Sequence, residues 1–402
     1  MNILGINVSE LKPEGLWLKI QELLADGRPH YLVTPNPEII LASHHDEEFF
    51  YILNEADLAP ADGFGLKIAA WLNGQNLSRI SGSDLSPKLL ELAAKKNLKV
   101  AVINWTGGLS SQEEIKAILR QKYPQLDSLV IDSERNQELK SEDRKRLEDF
   151  QAKIMFVALG APYQEKFIWH NLNRLPGLSL ALGVGGTFDF LTGKIKRAPK
   201  LMRTLGLEWL WRLIRQPQRY RRIFRATVVF SYKVFRSRFI YPYFYRPNVA
   251  CWLYRRQGDG YEVLIVERQD EAEHWQLPQG GTDGQNLTRA GARKLSEELG
   301  TEKFAVKTCY HNVFRYTFAS VGQKKKLNSR VNQNNYKGQK QGLCIAEFQG
   351  QDSDIKVNFW DHRAWAWVKA EEVADKVNSC RQAGARIFAA KFQEYLENEH
   401  HQ

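Results

Sequence analysis

Apolar runs alternate with amphipathic stretches over the first 190 residues, and this alternation restricts the fold more than any other feature. The runs have the length of buried strands, and the stretches between them space their apolar residues as helices do. Strands that alternate with helices are typical of a mostly parallel sheet covered by helices on both faces, so we predict an α/β domain. The predicted strands are 30–34, 98–104, 128–133, 153–160 and 178–185, and the predicted helices are 37–56, 110–123, 141–152 and 163–175.

Polar residues and glycines cluster directly after these predicted strands. Parallel sheets bind ligands at the carboxyl ends of their strands, so we expect the functional site at that edge. Glycine also lets the backbone approach a ligand closely. The clustered positions are Thr34, Asn36, Asp62, Gly63, Gly160, Gln164 and 183–189.

A basic segment follows the last predicted strand. From Lys194 to Arg246 the chain has 15 Lys and Arg and a single acid, Glu208, whereas the net charge of all 402 residues is only +11. The positive charge is therefore concentrated here, and it predicts an anionic partner: a diphosphate, a lipid surface or a nucleic acid. Within the segment, Pro199 to Pro217 is predicted to form one helix.

The remainder of the chain has the pattern of a separate, smaller α+β unit. We divide the chain into an α/β domain at 1–198, a basic, aromatic helical appendage at 199–245 and the second unit at 246–402. The elements predicted in the second unit are a hairpin of 248–256 and 261–269, a helix at 289–300, a polar and basic loop at 324–341 and a terminal helix at 375–399.

Cysteine usage and hydropathy indicate the compartment. All four cysteines lie in the second half and none forms a CxxC pair, so we expect neither a zinc site nor a disulfide framework. A reducing cytoplasm fits this usage. We find no signal-peptide pattern and no run of 18 apolar residues, so the sequence predicts a cytoplasmic protein without a spanning helix.

Six motifs occur in order in the first 240 residues: TPNPE (34–38), APADGFG (59–65), RISGSDL (79–85), GAPYQEKF (160–167), GVGGTFDFLTGKIKRAP (183–199) and GLEWLWRLIRQPQRYRR (206–222). Together they resemble the WecG/TagA/CpsF glycosyltransferases. The resemblance implies a Rossmann-like domain that moves an N-acetylmannosamine-type sugar from a UDP-sugar donor to a polyprenyl-diphosphate-linked acceptor. Such enzymes serve the synthesis of wall polymers or surface polysaccharides.

The resemblance implies an inverting transfer that needs a base for the acceptor hydroxyl. Asp62 is the implied catalytic base, and its alternative role is that of a turn residue in an Asp-Gly dipeptide. Thr34 and Asn36 are implied to hydrogen-bond sugar or acceptor hydroxyls, and they can also cap the helix that follows.

The leaving diphosphate gains negative charge, which arginines can stabilise without a metal cofactor. The alternative for these arginines is a solvated basic face. Gln164 is implied to bind the nucleotide or sugar, and its alternative is an exposed residue in the first turn of a helix. Asp189 is implied to bind the donor sugar, and it can equally cap the turn that follows. The implied substrate-binding residues are Gln164, Gly185, Asp189, Arg197, Arg212, Arg219, Arg221 and Arg222.

The same basic segment suggests contact with an anionic membrane surface. A basic helix that carries aromatic residues lies well on such a surface, and a polyprenyl acceptor must be met there. We therefore expect a peripheral protein at the inner face of the membrane, with Trp209 and Leu210 packed on the sheet. A homo-oligomer remains open.

Two stretches of the second unit, HWQLPQGGTDGQNLTRAGARKLSEELGT (274–301) and YKGQKQ (336–341), resemble the Nudix hydrolases that act on capped RNA and dinucleoside polyphosphates. The loop of the Nudix box is one residue short, Gln285 stands where a Glu is expected, and Lys294 replaces the Glu of the Arg-Glu pair. The box positions retained for a Nudix-like site are Gly280, Gly281, Arg293, Glu297 and Glu298.

A lysine at this place puts a cation where the family binds Mg²⁺. Residues 294, 297 and 298 share one helix face, and three carboxylates there would hold the ion through oxygens. We therefore expect metal binding at Glu297 and Glu298 to be weak or lost, with Mg²⁺ as a cofactor only if the domain is active.

Two other functions remain open. One is an active Nudix-type pyrophosphohydrolase of nucleotide diphosphates or capped RNA, for which the first domain is accessory. The other is nucleic-acid binding through the basic segment, but the chain shows no aromatic RNA-binding module. Nucleic acid is therefore not the expected partner.

Overall fold

The chain divides between Arg238 and Phe239 into two units in the computed structural model, which describes residues 1–135, 138–199, 201–202, 206–318 and 335–400. The strands of the first unit are β1 (Asn2–Ile3), β2 (Ile6–Asn7), β3 (His30–Leu32), β4 (Val100–Trp105), β5 (Ser128–Ser133), β6 (Ile154–Ala158) and β7 (Leu180–Gly183). Its α-helices are α1 (Pro13–Ala25), α2 (Pro37–Ser43), α3 (Glu47–Asn54), α4 (Phe64–Leu72), α5 (Gly82–Lys95), α6 (Gln112–Lys122), α7 (Ser141–Phe150), α8 (Tyr163–Asn171), α9 (Thr187–Leu191), α10 (Glu208–Arg215), α11 (Tyr220–Phe224) and α12 (Phe230–Phe239).

Five parallel strands form the central sheet of the first unit, in the order β3-β7-β6-β4-β5. Neighbouring strand residues point to opposite faces, and apolar side chains are buried on both. Val102 and Ile154 belong to one buried cluster, and Ile103 and Met155 belong to the other. The five strands predicted from the alternation and the α/β class are confirmed.

Local capping sets the helix boundaries that the apolar spacing could not. The single helix predicted at 37–56 is two helices, because Asp46 caps α3 by accepting a hydrogen bond from the Phe49 N–H at 3.0 Å. The helix predicted at 110–123 begins after Ser111, which forms a capping box with Glu114.

The basic segment is interrupted where one continuous helix was predicted. The prediction of one helix from Pro199 to Pro217 is wrong. Gly206, with a φ of +75°, and Leu207 are not helical, and α10 begins directly after them at Glu208. Residues 200 and 203–205 lie outside the described residues. A 3-10 turn, α11, a π-helical turn and α12 follow without a break.

Packing ties this segment to the first unit as far as Arg238. Phe230 of α12 is buried, and a Cβ at Gly65 of α4 would lie 3.6 Å from its ring. The expectation that Trp209 packs on the sheet is wrong, because 41% of its surface is exposed. Leu210 is half-buried. No helix among the described residues is long and apolar enough to cross a bilayer.

The second unit is built on a seven-stranded sheet in which β13 runs parallel to β8, while the other pairs are antiparallel. The predicted hairpin and helix are confirmed. The strands are β8 (Tyr245–Gln257), β9 (Gly260–Arg268), β10 (Trp275–Gln276), β11 (Gln279–Gly281), β12 (Phe304–Thr317), β13 (Gly338–Phe348) and β14 (His362–Lys369), and the helices are α13 (Leu287–Leu299), α14 (Val373–Lys376) and α15 (Ser379–His400).

Two expectations about this unit need correction. The predicted loop at 324–341 falls mostly on residues 319–334, which lie outside the described residues, but its last positions from Gly338 form the start of β13. Cys309 and Cys344 are joined by a disulfide, against the expectation from cysteine spacing. They face each other across β12 and β13 with Cα atoms 4.1 Å apart, and this pairing is invisible in the sequence.

Candidate active site

A cleft of about 570 Å³ opens in the first unit where the strands of the parallel sheet end. Its wall comes from the loops after β3, β4, β6 and β7, together with α10 and the turn that follows it. The volume lies within the range of small-molecule sites, about 300–1,000 Å³. The predicted residues that line this cleft are Thr34, Asn36, Asp62, Gln164, Gly185, Asp189, Arg212, Arg219 and Arg222.

Asp62 lies in the cleft with a carboxylate that is open to a ligand. Its backbone N–H donates to the Pro35 carbonyl at 2.8 Å, whereas its carboxylate makes no hydrogen bond with a described residue. Burial raises its pKa to about 6, although Arg79 and Arg212 oppose the shift. Such a carboxylate is ionised at neutral pH and is still basic enough to accept a proton.

The two polar residues after β3 differ in their contacts. The Asn36 Oδ1 accepts hydrogen bonds from the N–H groups of Glu38 and Ile39, both at 2.9 Å, so its capping role is confirmed. The amide nitrogen of Asn36 takes no part in the cap, so it can donate a hydrogen bond to a ligand in the cleft. Thr34 is almost fully buried, with its hydroxyl oxygen 3.2 Å from where a Cβ at Gly82 would lie.

Gln164 is a buried residue whose amide orientation is determined by its neighbours. Its Oε1 accepts from the Gly160 N–H at 3.2 Å and from the Gly185 N–H at 2.9 Å. The amide joins the loop after β6 to the loop after β7. Gln164 is therefore buried, and the alternative prediction of an exposed first-turn residue is wrong.

Asp189 lies in the first turn of α9, and its carboxylate is hydrogen-bonded to a residue of another cleft loop. The Ser110 hydroxyl donates to its Oδ1 at 2.8 Å, and the Ser110 and Thr192 hydroxyls are 2.8 Å apart. The residue thus links the loop after β4 to the loop after β7.

Four arginines of the basic segment line the cleft: the predicted Arg212, Arg219 and Arg222, and also Arg215, whose guanidinium carbon lies 4.9 Å from the centroid of the Trp211 ring. Arg212 is held by Glu208 at 2.7 Å, and the second oxygen of Glu208 pairs with Arg79 at 2.6 Å. Arg222 pairs with Glu38 at 2.5 Å.

Arg219 is different, because its guanidinium makes no hydrogen bond or ion pair with a described residue. Burial and the neighbouring Arg222 and Arg212 lower its pKa, yet an arginine remains charged. Glu38 and Asp189 stabilise its charge from a distance, but no described residue pairs with it directly, so the guanidinium can still bind an anionic ligand.

Two predicted arginines are not among the residues that line the cleft. Arg197 pairs with Asp84 at 2.9 Å, and Arg221 donates to the Tyr220 hydroxyl at 2.9 Å. Their positive charge thus lies beside the cleft.

Several cleft residues were missed by sequence reasoning. Arg135 stacks on Trp105, with its guanidinium carbon 3.5 Å from the ring centroid, and both side chains line the cleft. Arg79 acts through Glu208, as described above. Trp105 directly follows one predicted strand and Arg135 lies two residues after another, and that position was a usable signal. The pairing of Arg79 with a residue 129 positions away left no such signal.

The Nudix-like site of the second unit centres on the helix α13. Arg293 joins the preceding loop to this helix by donating to the Gly281 carbonyl at 2.9 Å, to Gln285 Oε1 at 2.9 Å and to Glu297 at 3.1 Å. Its role in this structure is to fix the loop.

Lys294 lies where a third carboxylate would complete a metal site. Its side chain is buried, its Nζ donates to Glu297 Oε2 at 2.6 Å, and a Cβ at Gly280 would collide with it at 2.3 Å. Glu298 lies 3.0 Å from the Nε2 of buried His362. Among the described residues, no group of three His, Cys, Asp or Glu is placed to hold a metal, and these residues do not fit Mg²⁺.

Comparison with known proteins identifies the first unit. The model of the glycosyl transferase WecG/TagA/CpsF family matches residues 1–242. The chain belongs to this family. A relative, the N-acetylglucosaminyldiphosphoundecaprenol N-acetyl-beta-D-mannosaminyltransferase of Bacillus subtilis (strain 168), is 34% identical over 200 residues, which cover 47% of this chain and 73% of the relative. The predicted family and the assignment as a glycosyltransferase are confirmed.

The second part of this glycosyltransferase matches the NUDIX domain over residues 244–389, which confirms the resemblance to the Nudix family, while the branch within that family stays a prediction. Solved structures that match part of the chain include a C. elegans Ap4A hydrolase binary complex, with 17% identity, a TM-score of 0.28 and coverage of 37% of this chain and 98% of that one. Another is the E. coli dihydroneopterin triphosphate pyrophosphohydrolase, with 14% identity, a TM-score of 0.27 and coverage of 37% and 99%.

We expect the double variant Lys294→Glu, Gln285→Glu of this WecG/TagA/CpsF-family chain to bind Mn²⁺ at least about tenfold more tightly than the wild type. The exchange replaces the buried ammonium with a carboxylate and adds a second acid in the loop. Calorimetric titration of the full chain with Mn²⁺ measures the effect. The control is Lys303→Glu, which makes the same charge change at a surface ion pair with Asp354. Equal affinities for wild type and double variant would contradict the prediction, as would Mg²⁺-dependent phosphate release by the wild type.

Proposed function

We propose that the first unit transfers an N-acetylhexosamine of the N-acetylmannosamine type from a UDP-sugar to a polyprenyl-diphosphate-linked acceptor. The observation that carries this proposal is the composition of the cleft. The carboxylate of Asp62 and the guanidinium groups of Arg212, Arg219 and Arg222 line the same cleft. A base and a cluster of cations are the two components that such a transfer needs. The printed activity of the Bacillus subtilis relative supports the choice of sugar and acceptor.

In the proposed reaction, the acceptor hydroxyl oxygen attacks the anomeric carbon of the donor sugar. The carboxylate of Asp62 takes the hydroxyl proton while the new carbon–oxygen bond forms. The bond from the anomeric carbon to the diphosphate oxygen breaks on the opposite face, and UDP leaves with the electron pair. The anomeric configuration is therefore inverted.

The leaving diphosphate is assigned to the arginines. Arg219 has no counter-ion among the described residues, so it can take a phosphate without breaking an existing pair. Arg212 and Arg222 are held in position by Glu208 and Glu38. Fixed guanidinium donors stabilise growing negative charge without a cofactor, so we propose a transfer that proceeds without a metal ion.

The acceptor is proposed to be met at an anionic membrane surface. On the continuous helical stretch from 220 to 235, five apolar or aromatic side chains recur every three or four residues and are 50–57% exposed, which defines one apolar stripe. Exposed Arg221, Arg222 and Arg225 lie on the same stretch, and anionic lipid complements them. The stripe consists of Tyr220, Phe224, Val228, Tyr232 and Phe235. We place the protein at the inner, cytoplasmic face.

We expect the double variant Phe224→Asp, Val228→Asp to lose membrane affinity by about tenfold or more, because two side chains no longer enter the lipid interface. Flotation with anionic phosphatidylglycerol vesicles measures the bound fraction. The control is Leu18→Asp, which changes a 63% exposed leucine on α1. High salt should also weaken binding of the wild type, since surface charges are screened over about 8 Å at physiological ionic strength. Unchanged flotation of the double variant would contradict the membrane assignment.

The direct test of the function is UDP release from UDP-N-acetylhexosamines by the purified chain, with and without a lipid-diphosphate acceptor analogue. Release that requires the acceptor supports the proposal. Phosphate release that requires Mg²⁺ and no acceptor would favour the Nudix unit as the site of chemistry.

A further inference from the structure

A fully buried carboxyl group lies directly behind the cleft and has no place in the proposed reaction. Glu165 follows Gln164 on α8, and its side chain has no exposed surface. Its Oε1 accepts a hydrogen bond from the Gln164 Nε2 at 2.7 Å. Its Oε2 has no hydrogen-bond partner among the described residues.

The contacts of Gln164 leave its amide one orientation. The Oε1 already accepts from the Gly160 and Gly185 N–H groups, so the opposite end must be the NH₂ group. One of the two amide protons goes to Glu165, and the other has no acceptor among the described residues. Without Glu165, the buried NH₂ group would lose its hydrogen bond and would favour a different side-chain conformation.

The end of β7 completes the socket for this amide. A Cβ at Gly183 would lie only 2.5 Å from the Gln164 Nε2, so the amide lies directly against the backbone there. The socket therefore combines two backbone donors, one carboxyl acceptor and one missing side chain.

We infer that Glu165 is a positioning residue that holds the Gln164 amide so that its second N–H serves the nucleotide-sugar donor in the cleft. This inference rests on the proposed function, because it takes the donor to be a UDP-sugar. Glu165 acts through Gln164 and does not touch the substrate. Only its acceptor oxygen is needed, since burial raises its pKa to about 7 and the neutral acid also accepts a hydrogen bond.

The test is calorimetric titration of the full chain with UDP. Glu165→Gln keeps an acceptor oxygen and should bind UDP within about threefold of the wild type, whereas Glu165→Met has a similar length without an acceptor and should lose about tenfold. In a Gln164→Met background, Glu165→Met should cause no further loss, because the two residues then act as one unit. A merely structural role would lower the melting temperature and leave the two effects additive.

Gly183→Ala provides an independent route, because its methyl group displaces the amide while Glu165 stays intact. Gly183→Ala should lose UDP affinity to the same extent as Glu165→Met. If Glu165→Met does not fold, the UDP affinity of Gly183→Ala tests the positioning role instead. Unchanged UDP affinity in Glu165→Met or Gly183→Ala, or additive losses in the double variant, would overturn the inference. If the wild type itself does not bind UDP, the proposed function fails instead.

Discussion

Asp62→Asn is expected to lower kcat for sugar transfer by about 10²–10⁴-fold, the usual effect of removing a general base. The amide has nearly the shape of the carboxylate but cannot take the acceptor proton. Because the Asp62 side chain makes no hydrogen bond with a described residue, its replacement should leave folding and UDP binding nearly unchanged. Initial rates of UDP release at saturating donor and acceptor measure the effect.

The pH profile gives this prediction a second readout. Burial raises the Asp62 pKa to about 6, and only the ionised form is a base. The wild-type rate should therefore fall as the pH drops through about 6 and should be flat above it, while the residual rate of Asp62→Asn should lack this step. Asp127→Asn, an exposed carboxylate just before β5 at the opposite end of the sheet, is the matched control. Transfer by Asp62→Asn within a few-fold of the wild type would remove Asp62 from the role.

Arg219→Ala is expected to reduce kcat by on the order of 10²–10³-fold, as the loss of one fixed donor to a developing charge does. Arg219 lines the cleft without a hydrogen bond or ion pair to a described residue, so it can take the leaving diphosphate without breaking an existing pair. Transfer to a water-soluble acceptor analogue, assayed as UDP release, measures the effect without a contribution from membrane binding.

Arg221→Ala serves as the comparison for this prediction. It removes the same group two residues away, where the guanidinium lies on the Tyr220 hydroxyl and not in the cleft lining. Its rate should stay within a few-fold of the wild type. Equal losses in both variants would mean that general positive charge, and not placement in the cleft, supports the reaction.

Much of the fold and part of the site could be predicted from the sequence, because they depend on local patterns. Buried strands are continuous apolar runs, and the residues that follow them meet at one edge of a parallel sheet. This reasoning put Thr34 and Gln164 in one cleft, and the APADGFG motif added Asp62. It also located α13 and the substitution at Lys294 in the second unit.

The remainder depends on contacts between distant residues, which no local pattern contains. The ion pair of Arg79 with Glu208, which also holds Arg212, joins residues 129 positions apart, and the Cys309–Cys344 pair depends on strand register. The apolar spacing of 37–56 also could not show that Asp46 would cap a second helix. Capping and ion pairing decide such boundaries, whereas hydrophobic periodicity only indicates that a helix exists.

The most direct test of the central claim is the mass of a lipid-diphosphate acceptor analogue after incubation with UDP-N-acetylhexosamines and the full chain in the presence of EDTA. If the first unit is this transferase, the acceptor gains one N-acetylhexosamine, UDP appears in equal amount, and Asp62→Asn abolishes both. An unchanged acceptor mass with every donor, together with Mg²⁺-dependent cleavage of the donor diphosphate, would contradict that claim.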